Sequence, residues 1–161
     1  MMSKMKVSIF TLAVGLNILS MSNASAGEIF VDATIGNKWA ASCKRCVQDG
    51  NSVVISVEPQ DVIVFRQMDT NTSHGVRPKN AGEDAKIRKR GDAENASQIV
   101  EEQGTGPTKI GSGDDMKFPK LVEGAAPVEM TKVKVKDNFT GSLNLWCNVH
   151  GPGMQITLKK E

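Results

Sequence analysis

The chain has 161 residues, with 20 lysines and arginines against 18 aspartates and glutamates, and a formal net charge of +2. This length suits one domain that buries a hydrophobic core. The near balance of charge, without a basic stripe interleaved with aromatic residues, argues against nucleic-acid binding.

Residues 1–26 have the composition of a secretory signal peptide. A basic start and an apolar stretch precede Ala24-Ser25-Ala26, which fits the small-residue rule for cleavage. We expect cleavage before Gly27, export to the periplasm, and contact with the membrane only through this transient segment. A retained anchor is the less favoured alternative, because the apolar stretch is shorter than the ~20 residues of a membrane-spanning helix. The remaining domain, 27–161, has a formal charge near zero, since the removed segment holds two lysines and no acid.

The first half of this domain predicts three strands. Residues 28–35 are β-prone, and residues 52–57 form a β-branched run that ends before Pro59. Residues 61–66 form an unbroken apolar run that suits a strand covered on both faces. Residues 36–52 are interpreted as irregular because glycine and asparagine interrupt them at both ends.

The three cysteines form a close pair and a single residue. In an exported chain, Cys43 and Cys46 favour a disulfide. A thioredoxin-like redox pair and a copper(I)-binding dithiol remain alternatives. Cys147 is the odd cysteine, and metal ligation would give it a role.

Residues 78–126 differ in composition, being rich in glycine and charge and poor in large apolar residues. We interpret them as a long surface insertion before the C-terminal strands, with one or two helical turns in 94–102. Unstructured loops of more than about 15 residues are uncommon, so local structure or a function is expected there. The basic run 86–90 fits a solvated face better than a docking patch for an acidic partner.

β patterning returns near the C-terminus, in residues 132–136, 141–147 and 154–159. Side chains alternate across a strand, so each donor shares a face with apolar neighbours. Cys147 shares one with Leu143 and Leu145, and Met154 shares one with Ile156 and Leu158. Both sulfur atoms should therefore point inward at one end of a β-sandwich. Short strands without paired helices predict an all-β, antiparallel sandwich.

Cys147, His150 and Met154 follow one another at Cys-x2-His-x3-Met spacing. A thiolate, an imidazole and a thioether form a soft donor set that selects copper, and a His2Cys site with a weak axial Met is the blue-copper arrangement. His74 is the only other histidine and so the candidate for the second imidazole. Met68 is the alternative to Met154, and core packing is the alternative role of Met154.

The motif Cys147 to Met154 between two predicted strands, with His74 within residues 71–76, resembles the cupredoxins, the type 1 (blue) copper proteins of the plastocyanin, pseudoazurin and amicyanin kind. The resemblance implies Greek-key connectivity and one copper ion, cycling between Cu(I) and Cu(II), on the four candidate ligands. It also implies redox protein partners that dock near His150. Trp146 is then either a second route for electrons or a cover for the outer sheet.

The resemblance implies a periplasmic one-electron carrier, monomeric and without enzymatic activity. Two alternatives remain: a copper storage or delivery protein that uses Cys43 and Cys46, and a catalytic copper site with an open coordination position. The first requires that pair to be reduced, and the second requires Met154 not to bind.

Overall fold

A computed structural model describes residues 27–102, 106, 108–111 and 116–161, so the predicted signal peptide lies outside the described residues. In this part of the chain, no helix has the length and hydropathy needed to cross a membrane. The described elements are one short helix, α1 (Ala81–Asp84), and the strands β1 (Glu28–Thr34), β2 (Lys38–Ala41), β3 (Cys46–Asp49), β4 (Ser52–Val57), β5 (Val62–Gln67), β6 (Val76–Pro78), β7 (Ile87–Arg88), β8 (Ile99–Glu102), β9 (Val128–Val135), β10 (Ser142–Cys147) and β11 (Gly151–Lys160).

The strands form two sheets, which confirms the predicted all-β sandwich. One sheet has six strands in the order β2-β1-β5-β9-β8-β7, and the other has five in the order β3-β4-β11-β10-β6. Both sheets are mixed and not purely antiparallel as predicted, because β1 runs parallel to β5, and β4 runs parallel to β11. The Greek-key connectivity stays a prediction.

Alternating apolar residues build the core between the sheets. In β4 and β10 every second side chain is buried, and in β11 the same alternation holds from Met154 to Leu158, as the period of two predicts. Residues from both sheets join in one buried cluster, which includes Phe65 from the larger sheet and Leu145 from the smaller. Each such buried side chain contributes about 1.5–3 kcal/mol of hydrophobic stabilisation, so this cluster is the main source of the fold's stability.

Residues 36–52 were predicted to be irregular, and this is wrong, because they contain β2 and β3. The glycine and asparagine residues that suggested a break form tight connections between neighbouring strands. Gly36 and Asn37 have φ of +89° and +56°, and Gly50 has φ of +55°. Positive φ is what short hairpin connections require. The turn signals were therefore correct, but the strands between them are only four residues long.

Residues 78–126 are more than a surface insertion. They contain α1, and they extend the larger sheet through β7 and β8. The helical turns expected in 94–102 are absent from these described residues, and β8 pairs with β9 there instead.

A buried acid explains why the pattern of this segment was misinterpreted. Glu101 alternates with Ile99 on the inner face of β8 and is only 4% exposed. Its carboxylate accepts hydrogen bonds from the Arg90 amide, the Ile110 amide and the Thr131 hydroxyl, at 2.8–3.0 Å. A buried carboxylate with three donors is tolerated. Hydrophobic patterning does not detect such a strand.

Candidate metal centre

Three side chains with metal-binding atoms meet where β6, β10 and β11 begin or end. His74 precedes β6, Cys147 ends β10, and His150 precedes β11. The Cys147 Sγ lies 3.4 Å from the Nδ1 of His74 and 3.4 Å from the Nδ1 of His150. All three donor atoms lie within 4.8 Å of one another. The three residues that the sequence predicted as ligands therefore lie together in the structure.

The spacing of the three donors fits one shared metal ion. With metal–sulfur and metal–nitrogen distances of about 2.3 and 2.0 Å, a tetrahedral angle separates sulfur from nitrogen by about 3.5 Å. The observed distances of 3.4 Å match this geometry. Thiolate and imidazole suit both copper and zinc, so these three residues establish a site that could hold a metal ion without naming it.

His74 is positioned by backbone pairing and by a buried carboxylate. Its amide donates to the Phe118 carbonyl at 3.1 Å, and its carbonyl accepts from the Phe118 amide at 2.7 Å. The Nε2 of His74 lies 3.0 Å from Asp69 Oδ2, and the two side chains are 0% and 1% exposed. An ionised carboxylate only accepts, so Nε2 carries the hydrogen and Nδ1 presents its lone pair towards Cys147.

Asp69 is itself held by the loop that leads to His74. Its Oδ1 accepts from the amides of Asn71 and Thr72 at 2.6 and 3.4 Å. Burial alone would raise the pKa of Asp69. The hydrogen bonds from His74, Asn71 and Thr72 outweigh this effect, so the pKa lies below its ordinary value. Asp69 is therefore a carboxylate at neutral pH.

Burial makes both imidazoles ready to bind a metal. It lowers the pKa of His74, and the hydrogen bond to Asp69 opposes this only in part. Burial also lowers the pKa of His150, against the opposing charge of Asp69. Both rings are therefore neutral at pH 7, which is the form that ligates metals.

The loop from Cys147 to Gly151 is joined to the His74 loop by a backbone hydrogen bond. The Asn148 amide donates to the Gly75 carbonyl at 2.9 Å. Gly151 has φ of +58°, a conformation that favours glycine, and it pairs with Cys147 across the turn. The two ligand loops are thus connected beside the centre.

Gly75 allows this close approach. A Cβ at Gly75 would lie 2.5 Å from the Met116 carbonyl oxygen and 3.1 Å from the Asn148 Cβ. Any larger residue would press on the Met116 backbone and on the Asn148 side chain.

Met154 lies in the core on β11 and is completely buried. Its carbonyl accepts a hydrogen bond of 3.2 Å from the indole nitrogen of Trp39, whose ring centroid lies 6.1 Å from that of His74. The inward orientation predicted for Met154 is confirmed, whereas axial ligation stays a prediction. Met68 is 39% exposed, which disfavours it as the alternative.

Sequence reasoning missed the residues that support His74. Asp69 carried a detectable signal, because an Asp five residues before the histidine, in a stretch rich in Asn and Thr, is typical of an Asx turn. Trp39 and Phe118 are distant in sequence and carried no signal.

Cys43 and Cys46 form a disulfide, with Cα atoms 5.1 Å apart. Among the described residues they lie outside the cluster of His74, Cys147 and His150. Of the three interpretations of this pair, the disulfide is the one observed, and Cys147 is the free cysteine.

The chain matches no protein-family model and no characterised protein in sequence. The interpretation of the centre therefore depends on its own residues and geometry.

Proposed function

We propose that this protein is a cupredoxin-like, type 1 copper protein that carries single electrons between redox partners in the periplasm. The observation that carries the proposal is the cluster of one thiol and two imidazoles, with both nitrogen–sulfur distances at 3.4 Å. It acts without transforming a substrate, so it is not an enzyme.

The donor set favours copper over zinc. Structural zinc sites use four strong ligands, and catalytic ones commonly have three together with water. Here the fourth candidate is the thioether of Met154, a weak and soft donor buried in the same core as Cys147. Two histidines, one cysteine and a weak axial methionine are the ligands of a blue-copper site.

The rigidity of the centre suits rapid electron transfer. His74 and Cys147 are completely buried, and Asp69 and Phe118 hold His74 in place. Copper, when bound, would supply the one-electron couple. The protein would keep its ligands nearly stationary while the charge changes, and the surrounding apolar residues would tune the potential.

His150 is the proposed point of contact with redox partners. It is half-buried, while its neighbours Val149, Pro152 and Gly153 are exposed. An imidazole edge within a small apolar surface suits a transient partner, because such contacts need little buried area.

The disulfide disfavours the copper-storage alternative. Storage or delivery through Cys43 and Cys46 requires free thiols, and these two sulfurs are bonded to each other. The disulfide also suits an exported protein, as the composition of residues 1–26 suggests.

The decisive test is the absorption and EPR spectrum of the isolated protein loaded with Cu(II), beside Cys147→Ser. An intense thiolate-to-copper band with narrow copper hyperfine splitting, bleached by a mild reductant and lost in Cys147→Ser, is expected. Cys147→Ser nearly preserves the side-chain volume, so loss of the band reports the ligand and not the fold. A weak, broad signal that survives the substitution would refute the proposal.

A further inference from the structure

A cleft separate from the metal centre lies against the edge strand β6. Its volume is about 290 Å³, and its walls include Arg77 of β6, Lys79 directly after that strand, Asp84 of α1, Lys89 and Gly111. At a share of about 30 Å³ per water molecule, it has room for a small polyatomic group with its hydration.

The lining carries an excess of positive charge. Three of its side chains are cationic and one is acidic. Lys89 binds Asp84, with its Nζ 2.9 Å from Oδ1. Within the described residues, Arg77 and Lys79 have no acidic partner, so two positive charges remain uncompensated in a domain whose overall charge is near zero.

Arg77 also has an unused donor. Its Nε is buried and has no hydrogen-bond partner among the described residues. Leaving a buried donor unsatisfied costs about 1–3 kcal/mol, and more for a charged group. The Nε itself is closed to solvent, so a ligand in the cleft would be bound by the terminal nitrogens of the guanidinium.

Trp146 supports both cations without satisfying their hydrogen bonds. The guanidinium of Arg77 lies 5.4 Å from the centre of the indole ring, and the Nζ of Lys79 lies 5.9 Å from it. Cation–π contacts at this distance orient a cation but leave its N–H groups free. The Trp146 indole nitrogen donates to Gln155 and does not compete for a ligand.

The other cations of the basic run 86–90 have partners of their own outside the cleft. Lys86 binds Glu83 at 2.9 Å, and Arg88 lies 3.7 Å from Glu94. Arg90 donates to the carbonyls of Glu102 and Gly106. Lys86 and Arg88 are thus paired with acids and Arg90 with backbone carbonyls, whereas Arg77 and Lys79 stay available in the cleft, which suits a compact anion.

We propose that this cleft binds an oxyanion, a carboxylate or phosphate group, between Arg77 and Lys79. The guanidinium presents N–H groups in a planar fork that matches two oxygen atoms, and the ammonium adds a second charge. The proposal requires no metal, so its outcome is independent of the blue-copper proposal.

The indole signals of the two tryptophans offer a specific test. Inorganic phosphate, and separately a hexaglutamate peptide, are titrated into the isolated protein while the indole N–H resonances are followed by NMR. The Trp146 signal should shift saturably, whereas that of the buried Trp39 should stay. Arg77→Gln and Lys79→Gln should each weaken binding about tenfold or more, because each removes a charged donor.

Lys159→Gln is the matched control, since Lys159 is exposed on β11 outside the cleft and the charge change is the same. An unshifted Trp39 signal shows that each variant is folded. Tighter binding of the peptide would identify protein carboxylates as the source of the anion, and tighter binding of phosphate a free oxyanion. No saturable shift with either probe, or equal binding in folded Arg77→Gln and Lys79→Gln, would overturn the proposal.

Discussion

The two imidazoles of the candidate centre stand in opposite surroundings. His74 is completely buried, paired with Phe118 through its backbone, and held by the carboxylate of Asp69. His150 lies in a turn, half-buried, beside the exposed Val149. The centroids of their rings are nevertheless only 4.9 Å apart.

This difference would serve the two requirements of the proposed electron-transfer site, a fixed ligand geometry and access for a partner. The His74 side supplies rigidity, because a ring fixed at its Nε2 and its backbone has one orientation. The His150 side is the more accessible one, because His150 is half-buried and lies in a turn beside exposed residues.

The largest expected effect comes from removing either ring and offering imidazole in solution. His150→Gly opens a hole beside solvent, so added imidazole should enter and restore the thiolate-to-copper band. His74→Gly leaves a hole within the core, so imidazole should fail to restore it. Absorption of the Cu(II)-loaded variants measures both. Equal recovery in the two variants would show that the burial of His74 does not limit access.

Gly75→Ala should destabilise the protein by about 1–3 kcal/mol, the usual cost of overpacking. The new Cβ would lie 2.5 Å from the Met116 carbonyl oxygen, and backbone cannot yield as a flexible side chain does. Gly153→Ala is the control on the other side, because its Cβ would only reach the His150 carbonyl oxygen at 3.7 Å. Urea unfolding compares them. Similar losses in both variants would contradict the tight packing of the His74 loop.

Asp69→Asn should weaken metal binding by about 10–100-fold, as expected for a residue that orients a ligand. One amide oxygen cannot serve both His74 and the amides of Asn71 and Thr72, which now use separate carboxylate oxygens. Loss of a negative charge near the metal should also raise the reduction potential, since it disfavours Cu(II) relative to Cu(I).

Asp49→Asn is the matched control for Asp69→Asn, because Asp49 is exposed on β3 and its charge change is identical. Competition with a chelator measures affinity, and voltammetry measures the potential. An unchanged potential in Asp69→Asn would show that Asp69 only supports the fold.

The same contrast explains how far the sequence could be interpreted. Cys147 and His150 are neighbours in the chain, so their spacing alone predicted that they meet. Apolar and polar residues alternate in strands β10 and β11, so their buried faces could be predicted from the sequence. Asp69, in contrast, carried only the signal of an Asx turn, and its contact with His74 depends on the loop conformation in the fold.

Residues that reach the centre from distant parts of the chain could not be predicted from the sequence, because tertiary packing brings them there. Trp39 lies in a four-residue strand between turn signals, and it reaches Met154 from 115 positions away in the chain. Strand β8 was not predicted because the acidic Glu101 interrupts its apolar face. The burial of Glu101 depends on three hydrogen-bond donors from other segments. Periodicity detects apolar faces, and it fails where a buried face is polar.

The smallest expected effect is the dependence of stability on pH in the metal-free protein. Burial lowers the pKa of both histidines in the folded state, so below about pH 6.5 the unfolded chain binds more protons. Stability is therefore complete above this pH and falls as the pH decreases through it. Each histidine contributes at most about 1.4 kcal/mol per pH unit.

Urea unfolding between about pH 5 and pH 7.5 would divide this dependence between the two rings. His74→Gln should flatten the slope more than His150→Gln, because solvent reaches the half-buried His150 and reduces its penalty for becoming charged. If the two variants flatten the slope equally, the two rings share one electrostatic environment. The difference between the His74 side and the His150 side would then be one of geometry alone.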